Sequence, residues 1–303
     1  MNSTEKINFF KERTIGERFS AAAKFTRQNW KIVSKNLVYV VIPLTLLMSF
    51  GLDKYMRSSI SISSETDIAG TLISYGIMML SNMALYIFIS AVVGAIMQKY
   101  QTGELTKDTG WTELKGKVFS IAKNLFLLFL IAFFVPVIII MVFAFFISLA
   151  GVDPGSIAVV MGFLVVMLLV SLVMVALTPS LLLMTMPAIV ENKSAWVSIK
   201  KGFRLGFKYW GSTFVTALLG GLLYSMFYTI FLMPYSIYLV ISMAIDSSGP
   251  NPILSFILTI IPSLVIAFTA PIFLIFVIYH YCSIVEKEEG VTLTNNIDSF
   301  DTM

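Results

Sequence analysis

The chain has 303 residues, of which 57% are hydrophobic and only 13% charged, and its mean hydropathy is +0.88. A typical soluble domain is roughly 45–50% apolar and about 25% charged, so this chain lacks the polar surface that a soluble enzyme, a nucleic-acid-binding domain or a disordered chain requires. What remains is an all-α, polytopic integral membrane protein, whose net charge of +4 points to anionic lipid headgroups, with no nucleic acid expected. The single cysteine, Cys282, precludes an intramolecular disulfide, and the single histidine, His280, argues against a metal site.

Residues 1–35 are polar and basic, without the short apolar stretch of a cleavable signal, and Glu5, Glu12 and Glu17 do not suit an organellar transit peptide. A membrane helix needs about 20 predominantly apolar residues. Such runs follow at 36–52, 68–98, 121–150, 156–190, 211–245 and 253–283. The first is the shortest and stops before Asp53. The others are long enough to require tilt or continuation beyond the hydrocarbon. Lys123 stands at the entrance of the third; otherwise no Asp, Glu, Lys or Arg interrupts these runs. Gly151-Val152-Asp153-Pro154-Gly155 predicts a tight turn between the third and fourth, and the Pro/Gly/Ser-rich stretch 246–252 predicts another between the fifth and sixth.

The basic residues are distributed on one side. Eight lie in 1–35, five in 99–123 (Lys99, Lys107, Lys115, Lys117, Lys123), five in 191–208 (Lys193, Lys200, Lys201, Arg204, Lys208) and one in the tail (Lys287), against Lys54 and Arg57 alone on the other side. The positive-inside rule then puts both termini in the cytoplasm.

The basic segments are patterned as amphipathic helices. In 193–210, Trp196, Ile199, Phe203, Phe207 and Trp210 fall within about an 80° arc, beside Lys193, Lys200, Lys201, Arg204 and Lys208. Large aromatics next to a basic face suit a helix lying in the membrane interface. In the N-terminal segment Ile15, Phe19, Ala22, Thr26 and Val33 share one side, and Arg13, Glu17, Lys24, Arg27, Lys31 and Lys35 the other. A weaker version sets Trp111, Leu114, Val118, Ile121 and Leu125 against Glu113, Lys115, Lys117 and Lys123. The expected architecture is therefore six transmembrane helices plus three basic amphipathic interfacial helices on the cytoplasmic face. It reads as one unit used three times, over 12–100, 107–190 and 193–283, ahead of a polar tail, 284–303.

Pro187 ends a span, Glu191 follows, and a small-residue basic helix through Ser194, Ser198, Gly202 and Leu205 closes on the aromatic pair Tyr209-Trp210. With the opening Phe19-Ser20 through Ala23 and Arg27 to Asn29-Trp30, this pattern resembles the glycerophosphoryl diester phosphodiesterase membrane-domain family and related bacterial multi-pass proteins. The chain departs from it at Ser198 and Gly202, where alanine and serine are more usual. The resemblance implies the membrane part only. In such enzymes the chemistry lies in a soluble barrel of about 250 residues, which the tail here does not hold, so no phosphodiesterase activity is expected.

Few residues suggest chemistry. No phosphate-binding glycine loop, zinc-protease motif or kinase signature occurs, and neither a cofactor nor a catalytic residue is expected. His280 and Cys282, in Tyr279-His280-Tyr281-Cys282, read as an interfacial histidine and an inert thiol. Asn82 is the one amide inside a span and is expected to hydrogen-bond across helices. Tyr224, Tyr228 and Tyr235 share a sector of the fifth run and form a candidate polar stripe. Gly220-Gly221, and the pair Ala91 and Gly94, permit close helix approach.

The reading that follows is a non-enzymatic protein of the bacterial cytoplasmic (inner) membrane, with a role in membrane organisation, lipid handling or support of another membrane protein. Its candidate lipid contacts are Lys193, Trp196, Lys200, Lys201, Phe203, Arg204, Lys208 and Trp210. The alternative is a transporter or channel for a neutral or lipid-like solute. A reporter enzyme active only outside the cytoplasm, fused to the C-terminus, is expected to show no activity; activity there overturns the orientation.

Overall fold

A backbone amide in hydrocarbon has no water to bond, so apolar runs of this length close their hydrogen bonds internally as helix. The computed structural model describes residues 7–60, 68–149, 157–245 and 250–290, and their side chains apart from those of 59–60, 68, 132–149, 157–160, 163–164, 167 and 243. Every regular element among the described residues is helical: α1 (Ile15–Ile60), α2 (Ile68–Thr102), α3 (Trp111–Leu149), α4 (Ile157–Met184), α5 (Met186–Val190), α6 (Ala195–Lys208), α7 (Trp210–Ile245) and α8 (Pro252–Glu289). Five stretches among the described residues are long and apolar enough to cross a membrane: Ile15–Ser58, Ala69–Thr102, Leu168–Val190, Trp210–Ser242 and Pro252–Glu289. The third predicted run, 121–150, is helical as part of α3, but most of its side chains fall outside those described. The predicted turn at 151–155 lies outside the described residues, as does the one at 246–252 except for its last residues.

Two expectations are corrected along α1. The helix opens on a capping box, in which Thr14 N–H donates to Glu17 Oε2 at 2.7 Å and Glu17 N–H to Thr14 Oγ1 at 3.4 Å. It then runs 46 residues to Ile60. The N-terminal amphipathic segment is therefore the first part of α1 and not a separate helix. Nor does the helix stop at Asp53, because no helix-breaking residue stands there. The 111–125 segment is likewise continuous with α3. Its expected apolar stripe is enclosed by protein: Leu114, Val118, Ile121 and Leu125 have no exposed surface.

The chain divides into two compact units, Met1–Ala122 with Leu218–Met303, and Lys123–Ala217. The first is built on α1, α2 and α8. Residues on α1 rise in number as their partners on α8 fall: Phe19 meets Phe276, Ser49 meets Thr259, and Asp53 meets Ser255. Against α2 the same holds, with Phe25 on Tyr100, Met48 on Asn82 and Tyr55 on Tyr75. α1 thus runs antiparallel to both partners over some 40 residues, or about 60 Å at 1.5 Å per residue. Asn82 reaches across to α1 as expected, donating to Met48 Sδ at 3.8 Å. Gly51 lets α1 close on the α2 backbone at Ser74 and Met78. Of the expected pair Gly220-Gly221, only Gly220 sits at a close approach, beneath the Phe273 ring, while Gly221 faces open space.

In the second unit the fourth predicted span breaks early. α4 ends at Met184, and Pro187 lies in the first turn of α5, where a missing N–H costs nothing. The return to α6 uses Asn192 at φ 52°, a left-handed conformation that asparagine tolerates. The Pro187 carbonyl accepts from Glu191 N–H and Lys193 N–H, each at 3.1 Å. α6 then packs antiparallel on α4: Gly202 lies on Met184, Gly206 on Ser180, and Trp210 Nε1 donates to the Ala176 carbonyl at 2.8 Å. A Cβ at Gly202 would overlap the Met184 backbone. Gly202→Ala is therefore expected to cost about 1–3 kcal/mol, read as a lowered Tm in detergent. Gly221→Ala, in open space, is expected to leave Tm unchanged or raise it slightly.

Candidate functional site

α6 is the one predicted amphipathic segment that forms a helix of its own, and it has three faces. Ala195, Ser198, Gly202, Leu205 and Gly206 are buried and form the stripe through which it meets α4 and α5. Two of these, Ser198 and Gly202, are the positions that depart from the family-like pattern. The aromatic arc points away from that stripe: Trp196 is 62% exposed, Phe207 56% and Trp210 37%, with Phe203 half-buried beside Phe207 at 6.0 Å between ring centroids. On the third face Lys193, Lys200, Arg204 and Lys208 are exposed. Lys200 Nζ lies 5.2 Å from the Trp196 ring centroid and Lys208 Nζ 5.9 Å from that of Tyr209. Cationic heads thus rest against aromatic rings along this edge.

Lys201 stands apart from the other candidate contacts. Its ammonium lies 2.9 and 3.2 Å from the two carboxylate oxygens of Glu191, so it ties the start of the α5–α6 turn to α6. Trp210 is anchored by its indole hydrogen bond and by a parallel stack on Phe214, at 4.8 Å and 7°.

The tyrosine stripe is divided. Tyr224 and Tyr228 are half-buried one turn apart, whereas Tyr235 has no exposed surface. Its hydroxyl donates to Asp53 Oδ1 at 3.3 Å. A groove of about 270 Å³ lined by Ser225, Met226, Thr229 and Ile230 opens on the exposed side of the same helix.

Asp53 is the principal site that the sequence concealed. It is only 2% exposed and collects four bonds: two from the Arg57 guanidinium to Oδ2, at 3.0 and 2.6 Å, one from Tyr235, and a short one from Ser255 Oγ. Three helices, α1, α7 and α8, meet at one carboxylate. A buried charge is tolerable only when paired and fully hydrogen-bonded, and this one is. By hydropathy alone the apolar run ends at Asp53. The Asp53/Arg57 spacing of one helical turn was the available signal that the helix continues.

A second unforeseen cluster lies at the other end of the first unit. The segment 7–14 crosses the ends of α2 and α8: Ile7 N–H donates to Tyr100 Oη at 3.0 Å and Arg13 N–H to Ser283 Oγ at 2.9 Å. Phe9 packs within 5.2–5.6 Å of Tyr279, Tyr100 and Phe25. His280 is enclosed by protein. It has no exposed surface, and its Nδ1 lies 2.6 Å from Arg18 Nη1. Arginine only donates, so Nδ1 accepts and the ring is neutral. Cys282 is buried beside it in sequence.

No protein-family model, characterised protein or solved structure matches the chain, so the functional argument rests on this geometry. Asp53→Ala removes the buried carboxylate that Arg57, itself 25% exposed, is bonded to; the loss is expected to be about 2–3 kcal/mol, below the range for a fully buried pair. Tyr235→Phe removes one hydrogen bond and is expected to cost roughly 0.6–1.7 kcal/mol. Denaturant unfolding in micelles checks both, and equal losses from the two would contradict the central place of the carboxylate.

Proposed function

We propose that the chain is a non-enzymatic, multi-pass protein of the bacterial inner membrane that engages anionic lipid headgroups through α6, in a role of lipid handling or membrane organisation. Six spans with both termini in the cytoplasm belong to this reading, as does the membrane-domain family resemblance.

The observation that carries it is the division of labour on α6. The helix is docked by its small residues, so its aromatic and cationic faces are both turned outward. Exposed Trp196, Phe207 and Trp210 have nowhere favourable to go in water. Indole and phenyl rings settle at the headgroup level of a bilayer, and a row of Lys and Arg beside them meets phosphate. Because α6 is held by contact with α4, these side chains are presented on a fixed frame. Lys201 is excluded from the headgroup set, since it serves Glu191.

A solute pathway along the tyrosine stripe has less support, since Tyr235 is committed to Asp53 and the Ser225/Thr229 groove opens outward. In the reading favoured here, each basic side chain near an anionic surface contributes about 1 kcal/mol. Lys200→Gln/Arg204→Gln/Lys208→Gln is therefore expected to weaken retention of phosphatidylglycerol by about tenfold or more, measured by quantifying lipid that co-purifies with the protein. Lys201→Gln is expected to lower Tm with little effect on lipid. Unchanged phosphatidylglycerol in the triple variant would end the headgroup reading.

A further inference from the structure

Residues 7–14 precede α1 and belong to no helix, yet Phe9 is 3% exposed and Ile7 8%. Phe9 lies among Phe25 of α1, Tyr100 of α2 and Tyr279 of α8, at 5.6, 5.5 and 5.2 Å between ring centroids. On the outer side of the segment Asn8, Lys11 and Glu12 are exposed. One ring thus anchors a surface strap in a bed built from three helices. The strap is separable in its construction. Its shape is internal, because the Arg13 guanidinium donates to the carbonyls of Asn8, Phe9 and Lys11, the last two at 3.1 and 3.4 Å. The helix behind it keeps its own start, the Thr14–Glu17 capping box.

The bed recognises backbone. Through their hydroxyls Tyr100 and Ser283 meet the main chain of the strap: Tyr100 Oη accepts from Ile7 N–H at 3.0 Å, and Ser283 Oγ accepts from Arg13 N–H at 2.9 Å and lies 3.4 Å from the Arg13 carbonyl. Such bonds carry no side-chain identity, so another peptide can make them. The Glu12–Lys287 ion pair, at 3.4 Å, is exposed and of little worth. The ring position is less well matched to its occupant. Tyr279 is fully buried, and its hydroxyl has no hydrogen-bond partner among the described residues. A buried hydroxyl left unbonded is costly, and the phenylalanine ring beside it has nothing to bond it with. A phenol ring carries a hydroxyl that both donates and accepts.

We infer that residues 7–14 are a displaceable, autoinhibitory strap, and that the bed beneath them binds a peptide segment of a partner protein whose tyrosine takes the place of Phe9. Tyr100 Oη and Ser283 Oγ bond the incoming backbone, Phe25, Tyr100 and Tyr279 enclose the ring, and the Tyr279 hydroxyl bonds the incoming phenol. This bed is separate from α6 and does not depend on the lipid reading.

The full-length protein in phosphatidylcholine nanodiscs tests it, with two labelled synthetic peptides of residues 7–14 as probes, one native in sequence and one carrying Phe9→Tyr, and fluorescence anisotropy as readout. Phe9→Ala in the full chain removes the tethered competitor and is expected to tighten binding of the tyrosine peptide about 10- to 100-fold, the worth of one buried phenylalanine ring. The native-sequence peptide is expected to bind that variant about 3- to 10-fold more weakly than the tyrosine peptide, the worth of one hydrogen bond. Phe9→Ala/Tyr279→Phe is expected to remove that difference. In the unmodified chain, saturating tyrosine peptide is expected to speed hydrogen exchange at residues 7–14 while 15–25 stay protected, a readout that needs no variant to fold. Equal affinity of the tyrosine peptide for the unmodified chain and for Phe9→Ala overturns the proposal, as does equal binding of the two peptides. Unchanged exchange at 7–14 under saturating peptide overturns it too. So does exchange that rises together at 7–14 and 15–25, which makes the strap part of the helix start and not a separate piece.

Discussion

A polar side chain between membrane helices has only protein to bond, and the way this chain meets that requirement sets the register of α1 against α8. Thr45, Ser49 and Ser263 each return a hydroxyl to the carbonyl four residues earlier on their own helix. Ser49 and Thr259 also exchange bonds across the interface, at 3.4 and 3.3 Å, and one turn further along Ser255 donates to Asp53. The step is four residues on both helices. A slip of one residue turns each side chain by about 100° and leaves the Asp53 carboxylate without Ser255. An unpaired charge in that setting is far more costly than any single hydroxyl contact. The register of the first unit is therefore held chiefly by Asp53, with the hydroxyl pair below it as a second pin and Tyr235 bringing in α7.

The second unit brings α6 onto α4 through small residues instead of a buried carboxylate. Between apolar helices in lipid there is little hydrophobic gain to be had from association, so close backbone approach supplies the attraction. Gly202 and Gly206, one turn apart on α6, face Met184 and Ser180, one turn apart on α4. Glu191 and Lys201 then close the turn end of the pair. Because small residues take the protein side, the aromatic and basic residues of α6 have no position left except outward. The outward set of its aromatic and basic side chains follows from its packing.

Much of this was legible beforehand. The all-helical class and most of the apolar runs follow from composition and from charge-free stretches, since lipid admits no other open-chain structure. The amphipathic arcs were also visible, but an arc alone does not tell whether its apolar side meets lipid or protein. For Leu114, Val118, Ile121 and Leu125 it meets protein; for Trp196 and Phe207 it does not. Asp53 was misread because a charge after an apolar run looks like a span's end. Arg57, one turn on, and Tyr235 and Ser255, some 180 to 200 residues away in sequence, become its partners only after the helices are assembled. The Arg18–His280 contact was hidden for a similar reason: the two residues are 262 positions apart, and no local pattern marks the pairing.

The distribution of buried apolar residues adds an argument about depth. In hydrocarbon a leucine facing outward costs nothing, and α7 shows many, among them Leu218, Leu222, Met226, Ile230, Met233 and Ile237. In water the same residues must be covered. In α2 the stretch 89–97, and in α8 the stretch 274–285, are buried on every side of the helix, and the segment 7–14 is drawn across their ends. Such all-round cover is unnecessary inside a bilayer and necessary outside it. Together with helices of 46, 35 and 38 residues, longer at 1.5 Å per residue than a hydrocarbon core of about 30 Å requires, it sets this end of α1, α2 and α8 apart from the outward-facing apolar surface of α7. Aromatic contacts among Phe9, Phe25, Tyr100 and Tyr279 and the Arg18–His280 contact hold the three helices together at this end.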